Sequence, residues 1–109
     1  MANETPAEGP VPLAKWDVAL EALLREEYHK KAVALRVDDI RRLAMDYAIR
    51  FDDIVVTLFE LCIHGEWRYR DRHGAVVEMT HELFNELTSG GRLKDKDLAG
   101  FDGGWSPLS

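Results

Sequence analysis

The stretch Val37-Asp38-Asp39-Ile40-Arg41-Arg42-Leu43-Ala44-Met45-Asp46-Tyr47-Ala48 carries Ile40, Leu43, Ala44 and Tyr47 at the spacing i, i+3, i+4, i+7, which is one face of an α-helix. Asp38 or Asp39 is placed to cap its start. Ala48-Ile49-Arg50 forms a short break, and a second helical run follows from Phe51 to His64, closed by Gly65 where a left-handed terminating residue is expected. Wound at about 100° per residue, this run aligns Phe51, Val55, Leu58 and Cys62, flanked by Ile54, Phe59 and Leu61. Asp53, Thr57, Glu60 and His64 fall on the opposite line. A helix apolar over more than half its girth requires cover on two sides.

Trp67-Arg68-Tyr69-Arg70, the turn Asp71-Arg72-His73-Gly74, and Ala75-Val76-Val77-Glu78-Met79 come next. Aromatic and β-branched residues on both sides of a polar, glycine-containing turn predict a β-hairpin. Alternation puts Trp67 and Tyr69 on one strand face and Arg68 and Arg70 on the other. Helix, tight turn, helix ending in glycine, then hairpin: this order resembles the winged-helix branch of the helix-turn-helix superfamily. The resemblance rests on Ile40, Leu43, Ala44, Ile49, Ile54, Leu58, Leu61 and Gly65, with Arg68 to Val77 as the wing. It implies a mainly α fold with a small β-hairpin (α+β): a three-helix core, a hairpin wing and an extra C-terminal helix.

Outward from this centre, the chain divides into a leader over 1–12, a domain over 13–91 and a tail over 92–109. The leader holds Pro6, Pro10 and Pro12 with Gly9 among small polar residues, a composition that does not fold alone. Leu13, Trp16, Leu20, Leu23, Leu24 and Tyr28 mark a first long helix that can lid the Phe51 helix. Ala32 to Leu35 either extends it or forms a short strand. The strand is favoured, and pairing with the hairpin would then complete a three-stranded sheet. Thr80 is a good N-cap for a helix over 81–88, with Leu83, Phe84 and Leu87 facing one way and Gly90-Gly91 stopping it. Arg92 to Asp97 reads as a solvated mixed-charge run. In the glycine-rich tail, Phe101 and Trp105 either tuck back onto the domain or dock on another chain.

At 109 residues the chain is one domain's worth, able to bury a real core. It has no apolar run near the ~20 residues of a membrane span and no signal-peptide pattern, so a cytoplasmic location is expected. The single Cys62 excludes an internal disulfide, and its position on the apolar line makes it a packed structural thiol. Net charge is −6, unusual for a nucleic-acid binder, whose affinity comes from phosphate neutralisation.

No catalytic, cofactor or metal constellation stands out. His29, His64, His73 and His81 lack ligand spacing, Cys62 and His64 point to opposite sides of one helix, and Asp38-Asp39 and Asp52-Asp53 sit at helix starts where acids are favoured. An enzyme is therefore the least supported class. Two binding readings remain, with a small-ligand sensor or enzyme accessory subunit behind them. The resemblance to winged-helix regulators implies DNA contacts through Arg50, Thr57, Arg68, Arg70, Arg72 and His73, with Arg41 and Arg42 on the phosphate backbone. The acidic line of the second helix opposes it. The favoured reading is a protein-interaction module that presents Val56, Phe59, Ile63, Trp67, Tyr69, Phe101 and Trp105 to a partner protein or to a second copy in a homodimer.

Overall fold

The computed structural model describes residues 16–91, 93 and 95–108. The expected leader, Leu13, Arg92 and Lys94 lie outside the described residues. The architecture is mainly α within the α+β class: four helices and a small antiparallel sheet of three strands. The elements are α1 (Val18–Lys31), α2 (Val37–Tyr47), α3 (Phe51–Ile63), β1 (Trp67–Arg70), β2 (Val76–Val77), α4 (His81–Thr88), a 3-10 turn (Asp95–Leu98) and β3 (Gly104–Pro107).

Most of the helix ends have a local cause. The Asp17 carboxylate accepts from Leu20 N–H at 3.1 Å, and Ala32 (φ 60°) ends α1 in the left-handed region. Asp39 accepts from the backbone N–H of Arg36 at 2.9 Å in the first turn of α2. Ala48 (φ 55°) ends that helix and leaves a short connection to α3. Gly65 takes φ +76° after α3, as the sequence pattern requires. Thr80 Oγ1 accepts from Leu83 N–H at 3.1 Å, so the expected cap and the expected span of α4 are both found.

α3 is the axis of the core. Ile54, Val55, Leu58, Phe59 and Leu61 are fully buried, packed among Leu20 and Leu24 of α1, Ile40 and Leu43 of α2, and the inner face of β1. Leu20, Ile40, Leu43, Ile54, Leu58 and Leu61, each on the expected apolar line of its helix, share this core, with half-buried Trp16 packed against it. The required two-sided cover comes from α1 and α2 together with the chain after β2, which buries Met79, Leu93 and Leu98. Tyr47 departs from its expected place on the α2 face and is 49% exposed, because it is the last residue of the helix.

α1 and α2 are fastened by ion pairs around one buried carboxylate. Asp39 is 4% exposed and meets Lys31 Nζ at 2.5 Å and Arg42 Nη1 at 3.3 Å, while Arg42 also reaches Glu27 at 2.8 Å. Burial alone would raise the Asp39 pKa, but the Lys31 and Arg36 hydrogen bonds and the nearby Lys31 and Arg42 charges hold it below its ordinary value.

The sheet corrects two expectations. Its order is β2-β1-β3, so the third strand is Gly104–Pro107 from the tail and not the Ala32–Leu35 segment. That segment contributes one bridge: Leu35 and Trp105 exchange both backbone hydrogen bonds, each 2.8 Å. The domain boundary at 91 is accordingly wrong, since residues beyond it supply a strand and core side chains. The close approach of β3 depends on glycine: a Cβ on Gly103 would sit 1.8 Å from Arg70 O, and one on Gly104 2.7 Å from Ala34 Cβ. Tail aromatics tuck inward. Trp105 is 0% exposed, 4.8 Å from the Tyr69 ring, and Phe101 packs between Tyr69 (5.5 Å) and Phe59 (5.6 Å).

Candidate functional site

The pleat of β1 separates two kinds of surface. Trp67 and Tyr69 face inward over α3 and are buried, while half-buried Arg68 and exposed Arg70 face the other side. Cross-strand register puts Ser106 opposite Arg68, and places both Gly104 and Val76 opposite Arg70. This outer face is arginine, serine, glycine and a valine that is 52% exposed.

At one end of that face lies a groove of about 330 Å³ between the hairpin turn, the Gly103–Gly104 backbone and the segment Val33 to Arg36. Arg36, Arg70 and Arg72 line it, with Asp71 and Ser106. The turn that forms its rim is rigidly specified. Asp71 Oδ1 accepts from the N–H groups of His73 (2.9 Å) and Ala75 (3.0 Å), and Gly74 takes φ +84°. The Arg70 guanidinium donates to Gly74 O at 2.9 Å and that of Arg36 to Asp102 O at 2.8 Å. Arg72 lies 3.4 Å from the Asp102 carboxylate. Behind the groove the Gly103 N–H donates to the buried Tyr69 hydroxyl at 2.8 Å. Burial raises the Tyr69 pKa, against the opposing pull of that hydrogen bond.

The expected site residues scatter. Arg70 and Arg72 meet at the groove, with His73 exposed in the same turn. Arg68 lies further along β1, beside a second hollow of about 370 Å³ lined also by Cys62, Val76 and Leu108. Arg50 stands exposed at the N-terminus of α3, outside the groove. Arg41 and Arg42 are occupied by Asp38 (2.6 Å) and by Glu27 and Asp39. Thr57, expected on a solvent-facing line, is buried: the start of α1 crosses α3 there, and its hydroxyl donates to Asp53 O at 2.9 Å.

Most of the expected protein-interface residues are corrected as well. Phe59, Trp67, Tyr69 and Trp105 are core side chains and present no surface to a partner. Val56, Ile63 and Phe101 are half-buried against the same core. Arg36 was missed by sequence reasoning; a lone arginine between a strand-like run and a helix carries no pattern. The buried indole N–H groups of Trp67 and Trp105 have no acceptor among the described residues.

Cys62 is half-buried, and burial pushes its thiol up to about 12, which suits packing and not nucleophilic chemistry. The four histidines are exposed, and no group of three or more His, Cys, Asp or Glu among the described residues is arranged to hold a metal. No helix among them is long and apolar enough to cross a membrane. Family models, curated proteins and solved structures, compared with the chain, give no match.

Proposed function

We propose that this chain is a non-enzymatic protein-interaction module of winged-helix-like design, acting in the cytoplasm on another protein or on a second copy of itself. The observation that carries the reading is the enclosure of α3. Within the helix only Asp53 is exposed, and His64 follows it at the C-terminal end. Covered by α1, α2 and the sheet, α3 keeps only a strip at the surface, exposed Asp53 with half-buried Asp52, Val56 and Glu60, and three carboxylates on that strip oppose laying it in a major groove. Of the wing arginines, exposed Arg70 and half-buried Arg68 lie on the outer sheet face beside exposed Val76, with Arg72 in the turn at its end, a surface open to a docking partner. The net charge of −6 agrees with a protein partner better than with a polyanion.

The test is a pair of measurements on the whole chain. Anisotropy of a labelled random duplex near physiological salt should give no binding tighter than about 10⁻⁴ M. A photo-crosslinker at position 76 or 106 should capture a protein in extract of the native host, or a second copy, and one at exposed position 86 on α4 should not. Sub-micromolar, sequence-dependent duplex binding would overturn the proposal.

A further inference from the structure

We infer that the groove between Arg36, Arg70 and Arg72 receives an acidic, extended segment of a partner protein. The inference rests on the interaction-module reading and names the chemistry of its partner. With 20 Asp and Glu against 14 Lys and Arg, carboxylates are in surplus. Arg25 meets Glu21 at 3.0 Å, Arg41 meets Asp38 at 2.6 Å, and Arg42 meets Glu27 at 2.8 Å. Arg36 and Arg70 have no carboxylate within ion-pair distance among the described residues; each instead gives one N–H to a backbone carbonyl. A guanidinium carries five donors in a planar fork. One backbone contact holds that fork in place and leaves most of it to pair with an incoming carboxylate, in the bidentate geometry for which arginine is suited.

The acids near the groove do not cancel it. Asp71 is committed to the N–H groups of its own turn, and Asp102 is shared with Arg72. Three arginines against these two carboxylates leave the groove locally positive in an acidic protein.

A peptide fits this groove better than a nucleic acid does. Sheet surfaces that bind single strands stack bases on exposed aromatic rings, whereas Trp67, Tyr69 and Trp105 all face the core. The walls here are Val33, 57% exposed, and the backbone of the Gly103–Gly104 strand entry, which suit an aliphatic side chain. An extended segment places alternate side chains on one side, about 6.6 Å apart. Acidic residues at alternate positions would therefore reach the arginines together.

The test uses the full chain and two labelled peptides of about ten residues, one alternating Glu with Thr and one alternating Gln with Thr, with affinity read by anisotropy at about 50 and about 300 mM NaCl. The Glu peptide is expected to bind at least about tenfold more tightly than the Gln peptide at low salt, and to weaken at high salt. Arg36→Gln with Arg70→Gln should remove at least about tenfold of that affinity, Arg36→Lys with Arg70→Lys should fall between, and Arg50→Gln should change nothing. An unshifted urea midpoint shows that each variant is folded. Equal binding of the two peptides, or undiminished binding by the double Gln variant, overturns the inference. So does tighter binding of a single-stranded or duplex oligonucleotide that the same variants abolish. If the peptide result is negative while position 76 still crosslinks to a protein, the groove assignment falls and the interaction-module reading stands; if both fail, both fall.

Discussion

Trp105 is the side chain on which the sheet and the aromatic cluster both depend, and replacing it by Ala measures that dependence. The ring is fully buried, lies 4.8 Å from Tyr69 and stacks with Phe101 at 6.5 Å. A buried aromatic removes about 150 to 250 Å² from water, worth roughly 4 to 6 kcal/mol at ~25 cal/mol per Å². Measured Trp→Ala losses of about 3 to 5 kcal/mol agree. Against a total stability of about 5 to 15 kcal/mol, this is a large part of the fold. With a urea slope of about 1 to 3 kcal/mol per M, the midpoint should fall by at least ~1 M. Trp105→Phe separates packing from polarity. It leaves a smaller cavity and also deletes an indole N–H that is buried without an acceptor among the described residues, a group that costs about 1 to 3 kcal/mol. The two effects oppose, so the Phe variant should lose less than about 2 kcal/mol. A midpoint shift for Trp105→Ala below about 0.3 M would refute the reasoning, because it would mean that the tail strand is not part of the cooperative core.

Asp39 should make the protein acid-sensitive. Its folded pKa lies below the ordinary 3.8, so its contribution is present above that value and is lost as pH falls through the lowered one. Urea midpoints from pH 7 to 2.5 should fall more steeply for the native chain than for Asp39→Asn, which should already be less stable by about 1.5 to 3 kcal/mol at pH 7; parallel profiles would remove Asp39 from the account. Cys62, with its thiol pushed up to about 12, should react slowly with a thiol reagent at pH 8 and at the rate of a free thiol in denaturant. Rapid native labelling would contradict that burial. Thr80→Ala should cost about 1 kcal/mol through loss of the Leu83 N–H bond, seen as faster amide exchange in α4 before any change in α3. Gly103→Ala should be far more damaging, because its methyl would strike the Arg70 carbonyl; a normal urea midpoint would show that β3 docks differently.

Where the fold was legible, a local rule sufficed. The 3.6-residue period in Ile40, Leu43, Ile54, Leu58 and Leu61, the glycine at 65 and the threonine at 80 each act within a turn or two of the chain. β3 was not legible because in Gly104-Trp105-Ser106-Pro107 only Trp105 favours a strand, between a glycine and a proline that disfavour one, and its extended form comes from pairing with β1. Thr57 was misread for a similar reason: winding a helix gives the direction of a side chain, but not which other element crosses above it. The surface aromatics assigned to a partner were simply the core of the protein's own sheet, since burial against oneself and against another chain look alike in a sequence. The groove could not be read at all, because the segments that build it, Val33 to Arg36, the turn at Asp71 to Gly74 and Gly103 to Ser106, are far apart in the chain.

The pairing of Leu35 with Trp105 ties together segments far apart in the chain. Without residues 101–107, β1 would keep one bare edge and α3 part of its apolar girth. A bare strand edge accepts any extended chain that reaches it. The residues that complete the core thus also cover the edge of β1, and a cut in the exposed Ala99–Gly100 turn is expected to yield an adhesive fragment instead of a trimmed domain.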